Sequence, residues 1–357
     1  MCTSLVQVGC GFEFRMPKNV MKGLFKSRSK SPSEIVHLTG ELLRFIASST
    51  FISGEAKREE KIMREVAKNL HELKHVLYGD SESQPVSQAC AELTEEFFKE
   101  NTMRLLISCL SKLNLEARND ATEVVTSLQR QRVRSRLVAS DYMELNKDLI
   151  DLLIRGYEDQ DLALHYGSML RACIHHHQGI ARYVFESGYM VKFFDYIKLP
   201  NFDVASNAWE TFMDLMTTHN STVAEFLSKN YEWFFTEYNK LLECPTYFWR
   251  RRALGLFGNM LTNSEVMKLY VNSKDNLMAV MKLLKDTNKK IQIEAFYVFR
   301  LFVGNERKPT DIMYILIANK SKLLQFFGDF KMDEEEEHFE EDKAEVVEEI
   351  KALKCVD

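Results

Sequence analysis

The residues of this chain best suited to bind a partner form the run Tyr247–Arg252, with the sequence YFWRRR. Aromatic rings beside guanidinium groups can stack, can pair with carboxylates in a bidentate manner and can anchor an interface. The alternative is that Phe248 or Trp249 packs in a core while the arginines face water. The residues alone favour the two interpretations about equally. An aromatic, acidic peptide would suit the site if Met281, an adaptable side chain, also lines it.

Three consecutive histidines, His175–His177, suggest a metal site, but helix geometry argues against one. Neighbouring residues on a helix point about 100° apart, so three adjacent imidazoles do not easily share one metal. No carboxylate stands at a spacing that would complete the site. We therefore expect a solvated helix end at this position.

The acidic run Asp333–Asp342 is similar to a calcium site only in its charge. An EF-hand loop needs alternating oxygen ligands, a central glycine and a glutamate at its twelfth position, and this order is missing. The sequence also contains no phosphate-binding glycine loop, no G-x-S-x-G elbow and no kinase-type catalytic set. We therefore expect no enzymatic activity, no bound metal and no cofactor.

The composition narrows the class of protein further. Six prolines in 357 residues favour long, uninterrupted helices. A formal net charge of −5 argues against binding of nucleic acid, which needs a basic face. No run of 18 apolar residues is present, so we expect no membrane insertion. Seven scattered cysteines without a C-x-x-C pair indicate reduced thiols in a cytoplasmic protein.

A helical pattern recurs five times and must provide the frame for any site. In each copy a small or medium-sized residue is followed four positions later by a large apolar one, which places both on one helix face. The last copy lies in Lys289–Asn305, and successive copies are separated by 42, 42, 45 and 42 residues. The pairs are Val124/Leu128, Tyr166/Leu170, Ala208/Phe212, Ala253/Phe257 and Ala295/Phe299. This period predicts an all-α fold, a curved α-solenoid of HEAT/armadillo-like helical repeats.

The pattern also predicts three parts of the chain. Residues 1–30 are expected to be a disordered extension with a basic leader, and residues 31–330 the helical-repeat solenoid. Residues 331–357 are expected to hold the acidic segment and a C-terminal capping helix, which a repeat array needs at its exposed end. Within the array, Ala224–Leu242 is predicted to be helical.

Several segments resemble one known family over about residues 21–355. They include YEWFFTEYNKLL at Tyr231–Leu242 and, elsewhere, VMKLLKD, IQIEAFYVFRLFV, FDVASNAWETF, AEFLSKNY and LHELKHVLYG. In their order along the chain, these segments closely resemble those of the calcium-binding protein 39 family, a group of kinase scaffolds known as Mo twenty-five proteins. They resemble its plant branch in particular. Despite the family's name, the residues here imply no calcium chemistry.

The resemblance implies a scaffold that binds and activates protein kinases or pseudokinases of the sterile-twenty type. It implies a C-terminal pocket for a W-E-F-like peptide, at Arg251 and Met281, and a concave kinase-binding face that includes Phe202 and Tyr247. Charged surface positions depart from the family pattern, because two family lysines are replaced by Gly255 and Ala318. The alternative is a divergent solenoid adaptor that binds a different peptide or helix and activates no kinase.

Overall fold

A computed structural model describes residues 30–48, 56–79, 84–330 and 338–354. These residues form nineteen α-helices and one short hairpin, which confirms the all-α fold class. The helices are α1 (Pro32–Ser48), α2 (Ala56–Tyr78), α3 (Ser87–Lys99), α4 (Thr102–Cys109), α5 (Leu115–Arg130), α6 (Val138–Leu145), α7 (Lys147–Arg155), α8 (Ala163–His176), α9 (Gln178–Glu186), α10 (Tyr189–Tyr196), α11 (Phe202–Thr217), α12 (Asn220–Leu242), α13 (Tyr247–Leu261), α14 (Ser264–Tyr270), α15 (Lys274–Leu283), α16 (Lys289–Val303), α17 (Thr310–Ala318), α18 (Lys320–Asp329) and α19 (Phe339–Ala352).

Two expectations fall largely outside this description. The extension and basic leader predicted for residues 1–30 lie outside the described residues, except for Lys30. The first part of the acidic run, residues 333–337, also lies outside the described residues.

The chain divides into two compact units, residues 1–214 and residues 215–357. In the first unit several helices pack against the third helix after them. Helix α2 packs on α5 and α5 on α8, and the neighbouring series α3, α6 and α9 is stacked in the same way. A spacing of three helices indicates three-helix repeats, the armadillo form of the two repeat types that the sequence predicts.

The second unit repeats this arrangement. Helix α13 packs on α16 and α16 on α19, while α12 packs on α15. The helical segment predicted at Ala224–Leu242 lies within α12, which is kinked at Asn230, where the backbone has φ −124° and ψ 17°. The Asn230 side chain donates to the Phe226 carbonyl at 3.0 Å and accepts from Trp233 Nε1 at 3.0 Å. Helix α12 therefore supplies two of the three helices of its repeat.

The five pairs that define the sequence repeat are all core residues. None of their side chains is more than 5% exposed, and they lie on α5, α8, α11, α13 and α16. Polar caps fix where the helices of the second unit begin. Backbone N–H groups at the starts of α14, α15 and α16 donate to the side chains of Asn263, Ser273 and Asn288. The repeat pattern therefore predicts the core correctly.

The three histidines differ from the prediction of a solvated helix end. His175 is exposed and His176 half-buried, but His177 is only 2% exposed. Its Nε2 lies 3.1 Å from Gln129 Oε1, a buried amide on α5. The prediction is wrong for His177 because the chain turns there from α8 into α9, which directs this ring against the neighbouring repeat.

A two-stranded hairpin between α5 and α6 was not predicted. Its strands, β1 (Arg132–Val133) and β2 (Arg136–Leu137), are antiparallel. The two turn residues, Arg134 and Ser135, have φ values of 49° and 67°. Both lie in the left-handed region, as a type I′ turn requires.

Candidate functional site

The candidate site is built on α13, which begins with the aromatic and arginine run. One side of its C-terminal half is core: the Phe257 ring lies 4.2 Å from that of Tyr270 and 5.8 Å from that of Tyr238, measured between centroids. Burial of this half fixes the helix and leaves its first turn at the surface. Tyr247 is 39% exposed there and Phe248 37% exposed.

Arg250 has a structural role. Its Nε lies 3.0 Å from Asp286 Oδ2, and its Nη1 donates to the Cys244 carbonyl at 2.9 Å. Both charged side chains are mostly buried, so the pair ties the start of α13 to the residues that follow α15. This arginine does not face water, contrary to one of the two interpretations of the YFWRRR run.

Arg251 and Arg252 remain nearer the surface. Arg251 Nη1 donates to the Tyr247 hydroxyl at 2.9 Å, and its Nη2 lies 3.7 Å from Glu294 Oε1 on α16. The hydrogen bond to Tyr247, followed by the charge of Glu294, raises the pKa of Arg251 and keeps it cationic. Arg252 places its guanidinium 5.3 Å from the Phe248 ring centroid. Each exposed aromatic ring of α13 thus carries a cation beside it.

These side chains, together with Tyr297 of α16, form what we call the aromatic–arginine surface: Tyr247, Phe248, Arg251, Arg252 and Tyr297. Tyr297 is 37% exposed and follows Glu294 by three positions, so the two side chains share one side of α16. Because α13 packs on α16, the surface spans two adjacent repeats of the second unit. It offers large aromatic area and charged donors on rigid elements.

Met281 lies on α15 and is half-buried. Helix α15 packs on both α16 and α17, so α16 is a shared neighbour of the helices that carry Arg251 and Met281. Two further apolar side chains are exposed on α15 and α17: Met278 of α15 is 49% exposed and Tyr314 of α17 is 74% exposed. Neither residue is predicted from the sequence to belong to a site. The signal for Tyr314 was present, since Ile312 and Leu316 form the buried stripe and Tyr314 lies between them.

Phe202, the other residue assigned to the kinase-binding face, belongs to the first unit and Tyr247 to the second. Phe202 is the first residue of α11 and is 57% exposed. The side chain of Asn201 accepts hydrogen bonds from the backbone N–H groups of Asp203 and Val204, which fixes the start of the helix. Phe202 is therefore displayed on a defined helix start.

Comparison with known proteins gives the family. A model described as Mo25-like matches residues 23–354 of the chain. The chain belongs to the Mo25-like family. A putative MO25-like protein of Arabidopsis thaliana is 54% identical over 340 residues, which is 94% of this chain and 98% of the relative. A human protein named calcium-binding protein 39-like is 33% identical over 335 residues, 93% of this chain and 97% of that protein.

The family that the sequence segments indicate is thus confirmed, with higher identity to the plant relative than to the human one. Among solved structures, a designed armadillo repeat protein aligns with 74% of this chain and 99% of its own, at a TM-score of 0.43 and 12% identity.

Across residues 30–48, 56–79, 84–330 and 338–354, no group of three or more His, Cys, Asp and Glu side chains is arranged to hold a metal ion. Within the same ranges, no helix has the length and apolar character needed to cross a membrane.

Proposed function

We propose that this Mo25-like chain is a non-enzymatic scaffold that binds and activates a protein kinase or pseudokinase of the sterile-twenty type. Membership of the family supports the proposal, because the resemblance implies this role. The observation that carries it is the aromatic–arginine surface, where Tyr247, Phe248 and Tyr297 stay exposed beside two arginines. Aromatic and arginine side chains dominate the binding energy of protein interfaces.

The geometry of Arg251 suits recognition of an acidic partner. Its guanidinium is held by the Tyr247 hydroxyl and lies within ion-pair distance of Glu294, yet 41% of its side chain is exposed. A partner carboxylate would meet an arginine whose position is already restricted, so less side-chain freedom would be lost on binding. We therefore propose that Arg251 binds the glutamate carboxylate of a W-E-F-like peptide.

The aromatic residues of such a peptide need an apolar surface. We propose that Met281 provides it, together with Met278 and Tyr314, because α15 and α17 pack side by side and all three side chains are at least partly accessible. Methionine sulfur makes favourable contacts with aromatic rings and adapts its shape to them.

Activation would follow from preferential binding. If the scaffold binds the active conformation of the kinase more tightly than the inactive one, it shifts the equilibrium by the ratio of the two affinities. We propose that Phe202 of the first unit and Tyr247 of the second each contact the kinase. No group of the scaffold then needs to take part in the chemistry.

The peptide pocket is tested with a fluorescein-labelled peptide ending in Trp-Glu-Phe, titrated with protein and followed by anisotropy. We expect saturable binding that falls at least about tenfold in the double variant Arg251→Ala, Met281→Ala. Lys322→Ala, at an exposed position of α18, is the matched control and should bind as the parent chain does. Equal binding by parent and double variant would remove the assignment.

The kinase-binding face is tested by adding the protein to a sterile-twenty-type kinase and measuring phosphorylation of a generic substrate. We expect stimulation that is lost in Phe202→Ala, Tyr247→Ala. Because Tyr247 also holds Arg251, Tyr247→Phe is the control that keeps the ring and removes only the hydroxyl. Absence of stimulation by the parent protein would reject the activator role.

One observation favours the divergent adaptor as a second candidate. Gly255 and Ala318, which replace family lysines, are both exposed, so the two cations are missing from the surface itself. If the chain is such an adaptor, the parent protein will not stimulate the kinase, whereas the double variant Gly255→Lys, Ala318→Lys will restore some stimulation. A parent protein that stimulates as strongly as this variant would exclude the adaptor reading.

We also propose that residues 331–357 close the repeat array. Helix α19 packs on α16, and Arg300 of α16 lies 2.6 Å from the carboxylates of both Asp342 and Glu345. Lys320 donates to the carbonyls of Lys351 and Leu353 at the end of the same helix. These contacts suit a cap that covers the last repeat.

We propose a cytoplasmic location for the scaffold. The described cysteines Cys90, Cys109, Cys173 and Cys244 are all free thiols, as reducing surroundings would keep them. Burial raises the pKa of Cys173 to about 12, so this thiol is inert at neutral pH.

A further inference from the structure

A groove of about 810 Å³ lies between α14 and the C-terminal end of α16. Its floor is apolar and consists of Met267, Val271 and Leu301. The turn after α16 closes one side, where Asn305 Nδ2 donates to Asn272 Oδ1 at 3.2 Å. This hydrogen bond holds the two walls of the groove together within the second unit.

The rim of the groove is basic. Lys268, Arg300 and Arg307 line it, together with the single carboxylate of Glu306. Arg300 is already paired with Asp342 and Glu345 of α19. Lys268 and Arg307 are exposed, and no carboxylate of the described residues lies within 4.0 Å of either cationic group. Two exposed cations thus stand on opposite walls of the groove.

A purely structural explanation covers only part of this arrangement. Lys268 lies in the last turn of α14 and Arg307 follows the end of α16, and cations near helix C-termini stabilise the helix dipole. Stabilisation of the helix dipole by these cations would be equally strong if no groove were present between them. It gives no reason for an open apolar floor between the two cations.

We propose that this cationic groove binds an extended acidic segment of a partner protein. One large apolar side chain would occupy the floor at Met267, Val271 and Leu301, and a carboxylate on either side of it would pair with Lys268 and Arg307. Volumes of this size accommodate a few side chains, and apolar floors with a small number of polar groups are typical of binding sites.

The charge pattern favours carboxylates over phosphates. Glu306 lies next to Arg307 and repels a phosphate dianion more strongly than a carboxylate monoanion. The two exposed cations, Lys268 and Arg307, stand on separate walls, which suits two separate single charges. The inference is independent of the proposed pocket, because neither Arg251 nor Met281 lines this groove.

The test uses a peptide with one leucine between two pairs of glutamates, added to protein labelled with ¹³C at the methionine methyl groups. We expect the Met267 methyl resonance, assigned with Met267→Leu, to shift and saturate. The Met281 resonance should not move and serves as the internal reference. Binding should weaken between 0.05 and 0.5 M salt, because the Debye length shortens from over 10 Å to about 4 Å.

Variants decide whether the two cations carry the binding. Lys268→Glu, Arg307→Glu should weaken it by about tenfold or more, whereas Lys322→Glu, a charge reversal outside the groove, should leave it unchanged. Arg251→Ala, Met281→Ala should also leave it unchanged, which separates this groove from the proposed pocket. The proposal is overturned if Met267 does not respond, if the double reversal binds equally, or if a glutamine version of the peptide binds as well.

A phosphorylated version of the peptide covers the competing chemistry. With phosphoserine in place of each glutamate pair, we expect weaker binding than with the glutamates. Tighter binding of the phosphopeptide at Met267 would replace the acidic-segment assignment with a phosphopeptide site.

Discussion

Two repeat helices, α8 in the first unit and α13 in the second, each carry a glycine in their interior for opposite reasons. A Cβ at Gly167 of α8 would lie 1.9 Å from Asn207 Oδ1 and 2.5 Å from the Tyr157 hydroxyl. A Cβ at Gly255 of α13 would meet nothing within 4 Å. One glycine is required by close packing, and the other faces open space.

The surroundings of Gly167 explain its requirement. Tyr157 is 1% exposed, and its hydroxyl lies 2.9 Å from Asn207 Oδ1 and 2.7 Å from Thr211 Oγ1. Burial raises the pKa of Tyr157, so the hydroxyl stays protonated and available to donate. Any side chain at position 167 would enter this network.

No such reason applies to Gly255. A glycine in a helix interior costs roughly 0.5–1 kcal/mol relative to alanine, and no close approach offsets that cost here. Helix α8 is therefore shaped at this point by its neighbours in the fold, whereas the side of α13 that carries Gly255 is open. The predictions below test that distinction.

The largest effect should come from the buried side of α13. Phe257→Ala removes a fully buried ring that contacts Tyr238 and Tyr270, so we expect a loss of about 3–5 kcal/mol in unfolding free energy. Urea denaturation followed by circular dichroism measures it. Phe248→Ala, the same change on the exposed first turn, is the control and should cost less than about 1 kcal/mol. Similar losses for the two variants would erase the distinction between the faces.

The second-largest effect should come from Gly167, the closely packed glycine of α8. Gly167→Ala should destabilise the protein by about 1–3 kcal/mol, because the new methyl group displaces the Asn207 and Tyr157 side chains. Denaturation midpoints of the single and double variants measure it. In Asn207→Ala, Gly167→Ala the carboxamide is absent, so the double variant should lose less than the sum of the two single losses. Additive losses would mean that the clash is not with Asn207.

The open glycine should respond with the opposite sign. Gly255→Ala should stabilise the protein by roughly 0.5–1 kcal/mol, since alanine restricts the unfolded chain and meets no obstacle in the helix. Gly258→Ala, also open and exposed on the same helix, is a second instance and should behave alike. Thermal unfolding is sensitive enough to resolve the gain. A loss of stability at Gly255 would show that this side of α13 is not open.

The sequence predicts the core of this fold well because the signal is local. The pairs Ala253/Phe257 and Ala295/Phe299 lie one helical turn apart, and that spacing alone places them on a buried stripe. The kink at Asn230 leaves no such mark, since it depends on a side chain that bonds to its own helix. The hairpin turn at Arg134 and Ser135 was equally hidden, because neither residue is the glycine or asparagine typical of such turns.

The candidate site is less predictable, since exposure depends on how repeats stack. The YFWRRR run indicates a surface, but only the neighbouring residues distinguish the largely buried Arg250 from the accessible Arg251. His177 is buried for the same kind of reason, by contact with Gln129 of another repeat. Lys268 and Arg307 are 39 residues apart in the chain and share a groove through the packing of the second unit.

The smallest effects should come from two ion pairs, each of which joins an arginine on α8 or α13 to a glutamate on another helix. Arg171 Nη1 lies 2.9 Å from Glu210 Oε2, whereas Arg251 Nη2 lies 3.7 Å from Glu294 Oε1 with more of the arginine exposed. We expect Glu210→Gln to cost up to about 1 kcal/mol and Glu294→Gln a few tenths at most. Thermal unfolding at 0.05 and 1 M salt measures both, because screening should reduce each difference.

The same substitution should act on binding in the opposite direction. Once Glu294 is neutral, Arg251 no longer divides its charge between an internal carboxylate and an incoming one, so Glu294→Gln should tighten binding of the Trp-Glu-Phe peptide by a few-fold. Glu210→Gln, the matched change on the closed side of the comparison, should leave that affinity unaltered. If Glu294→Gln weakens peptide binding instead, Glu294 orients Arg251 for its ligand, and the open face of α13 is more tightly organised than its exposed glycine indicates.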